Sequence, residues 1–279
     1  MVWLALPLTV GAALGEAFAG CSGPVRWTAA GLAWTVWFLG LIATYVAHPV
    51  GLTTLRLAGP AALVAGVVAT VLGRPDAWVA LTAVVVAVAG AALALHPVTA
   101  DRCVDGASYG PEQRVALAVP LPLLLGPLPL AWTVTAAGVV TGPLLLAAGV
   151  WIAGSVTTAV GIGAAAAAVR SVHGLSNRFI VLVPAGFVLH DRAALLDPVL
   201  FTRDAVDAVG PALAGTTAFD LTLGATGLVI EAHLTAPLDL PIRTGRNDST
   251  MTRCEAVLFS PWRPGRFLAI AASHRLPVG

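Results

Sequence analysis

Few residues of this chain stand where they could do chemistry. His190-Asp191 is the one place where a histidine and an acid are adjacent. Such a pair begins a metal site only if further His and Asp residues join it, as the HD phosphohydrolases require, and none are spaced to do so. It sits at the end of a predicted hairpin, where Asp suits a turn. The cysteines, Cys21, Cys103 and Cys254, lie far apart and form no CxxC pair, so neither a zinc site nor a disulfide framework is expected. No GxSxG elbow is present. A chain without lysine cannot carry the GxxxxGK[ST] phosphate loop. We therefore expect no catalytic residues, no metal, no cofactor and no enzyme.

Two clusters are left as binding candidates. DGASYGPEQR places Asp105, Tyr109, Glu112 and Arg114 in one polar loop, and Tyr109 and Arg114 are its candidate contacts for a headgroup or a partner. The plainer reading is a solvated turn in which Pro111-Glu112 starts a helix. Arg263 and Arg266 flank the last amphipathic segment, beside Trp262. Basic residues can meet lipid phosphates, but four to eight clustered charges are the usual lipid signal. From 174 to 279 nine arginines face nine acids, so a protein partner is the better expectation.

The elements that must position these residues are set first by solvent. Soluble domains are roughly 45–50% apolar and about 25% charged. This chain is 58% apolar and 10% charged. So little charge cannot cover a soluble fold of this length, and the bilayer must serve as part of its solvent. The net charge of +1 provides no field for nucleic acid.

A membrane-spanning helix takes about 20 apolar residues. The apolar runs predict six, at about 2–19, 27–47, 55–72, 76–95, 115–140 and 143–169. Asp76 is the expected N-cap of the fourth. His48-Pro49 and His96-Pro97 read as helix stops and form a faint internal echo. The fifth run contains Pro120, Pro122, Pro127 and Pro129. Some of these fall in a first turn, and the others imply a kink. A broken helix of this kind lines the pathway of some transporters. The plainer alternative is a bent packing helix. Apart from Glu16 no acid, base or histidine lies well inside a span, which argues against proton or sodium coupling. Gly11/Gly15 and Gly138/Gly142 have GxxxG spacing, suited to close packing within this bundle first and between copies second.

Arginine placement sets the orientation. With the N-terminus inside, Arg56, Arg102, Arg114, Arg170 and Arg178 are cytoplasmic, and Arg26 and Arg74 are outside. FAGC at Phe18–Cys21 has the form of a lipobox. It lacks a basic segment before it, so an ordinary first helix is expected and lipidation of Cys21 is the alternative.

FIVLVPAGFVLHD, 179–191, marks the change of solvent. It is too short to span as a helix and is cut by Pro184-Ala185-Gly186, so it reads as a hairpin. Short strands are expected at 198–201, 204–209 (or a helical turn), 217–222, 227–235 and 255–259. GATG (224–227) is expected to be a hairpin turn and PIRTGRNDSTMTR (241–253) a polar loop. A helix closes the chain over 263–275, with Phe267, Ile270, Ala271 and His274 on one face. The predicted domains are thus 1–173, helical and transmembrane, and 174–279, β-rich.

Short strands closed by one helix, over 178–275, resemble in their order bacterial pleckstrin-homology-like (PH-like) domains. DGASYGPEQR and LVPAGFVLHD give the whole chain a resemblance to uncharacterised multi-pass membrane proteins of high-GC Gram-positive bacteria. The resemblance implies a bacterial cell inner-membrane protein with a PH-like barrel and C-terminal helix, and the arginine placement puts that domain in the cytoplasm. A non-enzymatic adaptor or regulatory subunit with a protein partner at that face is the expected function. A transporter or channel component using the Pro120–Pro129 segment is the alternative.

Overall fold

The computed structural model describes residues 2–245 and 248–279, the side chains of Pro127 and Ala131 apart. In chain order the helices are α1 (Val2–Ala17), α2 (Gly23–Tyr45), α3 (Pro49–Gly73), α4 (Ala77–Leu95) and α5 (Pro97–Asp105). Strand β1 (Gln113–Ala116) precedes α6 (Leu121–Leu125), α7 (Pro127–Ala147) and α8 (Trp151–Ser176). Then come β2 (Phe179–Val183), β3 (Gly186–His190), β4 (Val199–Thr202), β5 (Val206–Pro211), β6 (Phe219–Asp220), β7 (Ile230–Arg243), β8 (Ser249–Phe259) and α9 (Pro264–Ser273).

The chain divides into two compact units, neither continuous in sequence. One takes Met1–Thr99 and Pro127–Val172, the other Ala100–Gly126 and His173–Gly279. Five helical segments are long and apolar enough to cross a membrane: α2, α3, α4, the run Leu121–Ala147 and α8. α1 is apolar but has 16 residues. At 1.5 Å per residue that is about 24 Å, short of the roughly 30 Å hydrocarbon core.

Small residues hold the helical unit together, because apolar side chains gain nothing by leaving lipid and backbones must approach closely instead. α1 buries Trp3, Leu6, Val10 and Ala13. A side chain at Gly40 of α2 would overlap the Trp3 ring, and one at Gly59 of α3 would lie 2.7 Å from Ala94 Cβ. Gly138 of α7 faces Gly161 of α8 with no room for a methyl between them, and Gly142 faces Thr158 in the same way. The second predicted glycine pair is therefore a packing seam. The first is not: Gly15 has open space around it.

Both His-Pro pairs do more than stop a helix. His48 Nδ1 accepts the Val50 N–H at 3.2 Å and His96 Nδ1 accepts the Val98 N–H at 3.2 Å. Each imidazole thus caps the helix that follows, with proline at its first position. Asp76 occupies the N-cap of α4, but its side chain makes no capping bond.

The expected span 115–140 begins too early. Its first residues form β1, and hydropathy alone cannot separate a buried strand from a span in an unbroken apolar run. The expected break at 140–143 is also displaced. Pro143 lies inside α7. The chain turns at Gly149 instead, where φ is 82° and Val150 N–H returns to Leu145 O at 2.9 Å. That is a Schellman end, with glycine supplying the left-handed residue.

In the second unit β1-β2-β3-β4 form one antiparallel sheet, and β5-β7-β8-β6 form the other. Neither sheet closes into a barrel, so the unit is a pair of open sheets with a C-terminal helix. Their shared core contains Phe187, Phe201, Phe259 and Phe267, all buried. Phe259 and Phe267 meet edge-on at 5.3 Å. β2 and β3 are the expected hairpin. GATG is not a hairpin turn. β6 pairs in parallel with β8, and β7 begins at Ile230 and runs antiparallel to β8. β7 and β8 absorb most of the expected polar loop at 241–253. Of what remains between them, Arg246 and Asn247 lie outside the described residues.

Candidate functional site

Three of the four candidate binding residues belong to one cluster in the second unit. α5 presents Asp101 and Asp105 on one face, four residues apart. Asp101 is 1% exposed, and its Oδ1 accepts the Ala116 N–H of β1 at 3.0 Å. Its Oδ2 lies 3.0 Å from Arg266 Nη1 and 3.6 Å from Arg263 Nη1. Neither contact is aligned as a hydrogen bond. Arg266 Nη2 donates to Asp105 Oδ2 at 2.7 Å. Burial opposes the charge on Arg266, but the Asp101 and Asp105 carboxylates outweigh it, and its pKa is raised.

Arg114 donates to Glu112 Oε1 at 2.7 Å and lies over the Phe179 ring at 5.3 Å. Tyr109 is not part of this cluster. The residue is 88% exposed, and its backbone alone is engaged: its N–H donates to Glu112 Oε1 and its carbonyl accepts the Glu112 N–H at 3.4 Å. Arg266 and Arg114 are thus each answered by a carboxylate. The cluster ties α5 and its loop to β1 and α9. It leaves no excess positive charge for a phosphate.

The His190-Asp191 pair is likewise occupied. Arg178 and Asp191 stand opposite each other just beyond the Phe179–His190 register pair. Arg178 gives Asp191 two parallel hydrogen bonds, at 2.8 and 2.7 Å, and a third to Ala118 O at 2.9 Å. Both side chains are almost fully buried. His190 stacks on Phe179 at 4.5 Å. The fifth run is broken between α6 and α7, at Gly126–Pro127. Pro120 is the N-cap of α6 and Pro122 lies in its first turn, while α7 starts at Pro127 with Pro129 in its first turn. None of these prolines interrupts a helix interior.

A second feature lies on the other sheet. An open groove of about 710 Å³ is lined by the segment Leu213–Phe219, by Glu231 and His233 of β7, and by Arg253–Ala256 of β8. Glu231 is 5% exposed, accepts the Thr216 hydroxyl at 2.8 Å, and lies 3.0 Å from His233 Nε2. The groove's lining combines the charged side chains of Glu231, Arg253 and Glu255 with apolar ones. In VIEAHL (229–234) apolar and polar residues alternate, which places Glu231 and His233 on one face of the strand. That alternation could not show that the 213–218 segment folds over Glu231 and buries it.

The groove continues along an open sheet edge. Pro241 O and Arg243 N–H bond to Leu196 and Ala194, at 3.0 and 2.9 Å, so both residues turn their backbones away from β8. Opposite them in the antiparallel register are Met251 and Ser249. In such a non-hydrogen-bonded pair the two backbones face away from each other. Met251 and Ser249, and by alternation Arg253, therefore face outward. β6 covers β8 only at Val257 and Leu258. Among the described residues no backbone group pairs with β8 on this side between Ser249 and Arg253. Met251 is 62% exposed. No protein-family model, curated protein or solved structure matches this chain.

Proposed function

We propose that the chain is a non-enzymatic adaptor or regulatory subunit of a bacterial plasma membrane. The helical unit holds it in the bilayer, and the sheet unit, of PH-like kind and on the cytoplasmic side, receives a protein partner. The observation that carries this reading is the free outer edge of β8 beside the groove. An extended segment of a partner can add to such an edge through main-chain hydrogen bonds, with neighbouring pockets selecting its side chains. Edges left open in this way are otherwise a liability for aggregation.

The test is photocrosslinking from position 251 of the full chain in native membranes, with captured partners identified by mass spectrometry. The comparison variants are Arg253→Pro and a chain ending at His173. Arg253→Pro removes an outward N–H at an edge position that tolerates proline. A partner captured by the full chain and lost in both variants supports the reading. Capture unchanged by Arg253→Pro rejects the edge. The same partners for the truncated chain, or none for either, move the function to the helical unit.

A further inference from the structure

We propose that the loop Thr222–Leu228 of the sheet unit enters the membrane interface, with Leu223 and Leu228 in contact with lipid. The loop is bonded to the first residues of a charge-free apolar run long enough to span, Leu121–Ala147. Leu121 N–H donates to Gly224 O at 3.2 Å, and Pro120 bridges to Ala225. Gly224 has φ 76°, and a side chain there would meet Pro122 at 3.6 Å. These contacts hold the loop at the depth of the residues where the run begins.

The loop is made for such a place. No charged residue occurs between Asp220 and Glu231. Leu223 is 38% exposed and Leu228 51% exposed, and Leu124 and Leu125 of α6 expose 41% and 74%. Exposed leucines thus stand on both segments that these contacts join, and one of the two segments opens the apolar run. Leu223 also has φ 56°, a conformation in which water-facing loops use glycine or asparagine.

A loop near hydrocarbon must satisfy its own backbone; here the N–H groups of Thr222, Gly224 and Ala225 are bonded within the unit, and the remaining backbone groups need the polar headgroup layer. Leu221 N–H donates to Leu258 O at 3.0 Å, and Thr222 N–H to Asp220 Oδ1 at 2.7 Å. Gly224 N–H donates to the Thr222 hydroxyl at 3.3 Å, and Ala225 N–H to Thr222 O at 3.1 Å. The lipid contact concerns the leucine side chains, with the backbone at headgroup depth.

The test uses the full chain in phosphatidylcholine–phosphatidylglycerol vesicles, with a nitroxide at Leu228→Cys and, separately, at Leu223→Cys. Cys21→Ser removes the exposed native thiol, while Cys103 and Cys254 are buried. Leu213→Cys, in the same unit and 78% exposed, is the aqueous reference. Collisions with oxygen, which concentrates in lipid, are compared with collisions with a water-soluble nickel chelate. A ratio of oxygen to nickel accessibility several-fold higher at 228 and 223 than at 213 is expected. A ratio equal to that at 213 places the loop in water and overturns the proposal. Shielding from both reagents also overturns it, because protein, from this chain or a second copy, then covers the patch.

Discussion

At the scale of single residues, the ion pair Arg178–Asp191 is buried within the sheet unit and costly to break. A buried charge without its partner costs about 3–5 kcal/mol, whereas an apolar pair of similar volume is often neutral. Asp191→Ala is therefore expected to release the sheet unit to protease well below the denaturant concentration the native chain withstands. Arg178→Met/Asp191→Leu together should recover most of that resistance. Proteolysis of the full chain in detergent across a urea series measures both. The thiols differ in the same physical terms. Burial pushes the Cys254 pKa above the usual 9.0, and the Asp239 carboxylate adds to the effect. A folded-state pKa raised in this way favours the fold fully below pH 9.0 and loses that contribution as pH climbs through the folded value. In the native chain at neutral pH, maleimide should react at Cys21 and spare Cys103 and Cys254. All three should react after denaturation, as peptide mass mapping would record. Legibility followed interaction range at this scale. Arg263, Arg266 and Arg114 could be singled out as polar residues in an apolar chain. Their neutralising acids Asp101 and Asp105 lie far away in sequence from Arg263 and Arg266, and no local pattern announces that pairing.

At the scale of elements, periodicity was informative wherever a segment met one solvent. FIVLVPAGFVLH gave a hairpin because a proline–alanine turn separates two short β-branched runs. The closing helix was marked by Pro264 at its start and by Phe267 and Ala271 at helical spacing. Sequence reading failed where two environments share one apolar vocabulary. Val115 and Ala116 are buried in a sheet and Leu124 and Leu125 open the apolar run, yet all belong to one uninterrupted hydrophobic stretch. GATG misled for a related reason: glycines report a change of direction but not the strand that follows. The long β7–β8 pairing depends on contacts no turn motif encodes. The glycines of the helical unit support a sharper expectation. Gly138→Leu or Gly161→Leu would force α7 and α8 apart, because each would drive a side chain into the facing backbone. Gly163→Ala, on the same helix with nothing within 4 Å, should leave stability unchanged or improve it slightly. Thermal aggregation of the detergent-solubilised variants, followed by size-exclusion profile, would show the contrast. Equal loss in all three would mean that the seam is not what holds the two helices together.

At the scale of the whole molecule, the discontinuous sheet unit restricts how the chain crosses a membrane. Its pieces, Ala100–Gly126 and His173–Gly279, are joined through α7 and α8, which are both long and apolar enough to span. Two crossings return the chain to the side it left, as a unit built from both pieces requires. Between Cys21 and the sheet unit lie α2, α3 and α4, three candidate spans. If all three cross, the odd number would put Cys21 on the opposite face, whether or not the 16-residue α1 also crosses. Arg102, Arg114, Arg170 and Arg178 all lie in or next to the sheet unit, and basic residues near span ends favour the cytoplasm. In intact cells, therefore, a membrane-impermeant maleimide should label Cys21, which is exposed. A cysteine replacing the exposed Tyr109 should be labelled only after permeabilisation. The reversed pattern would place the sheet unit outside and remove the cytoplasmic adaptor reading. Labelling of both in intact cells would contradict the three-crossing topology itself. A Cys21 that stays unlabelled even in denatured chain, with added acyl mass on its peptide, would mean that the lipobox is used. Cys21 would then be a lipid anchor on the outer face, and the side assigned to the sheet unit would stand, because the same three helices separate them.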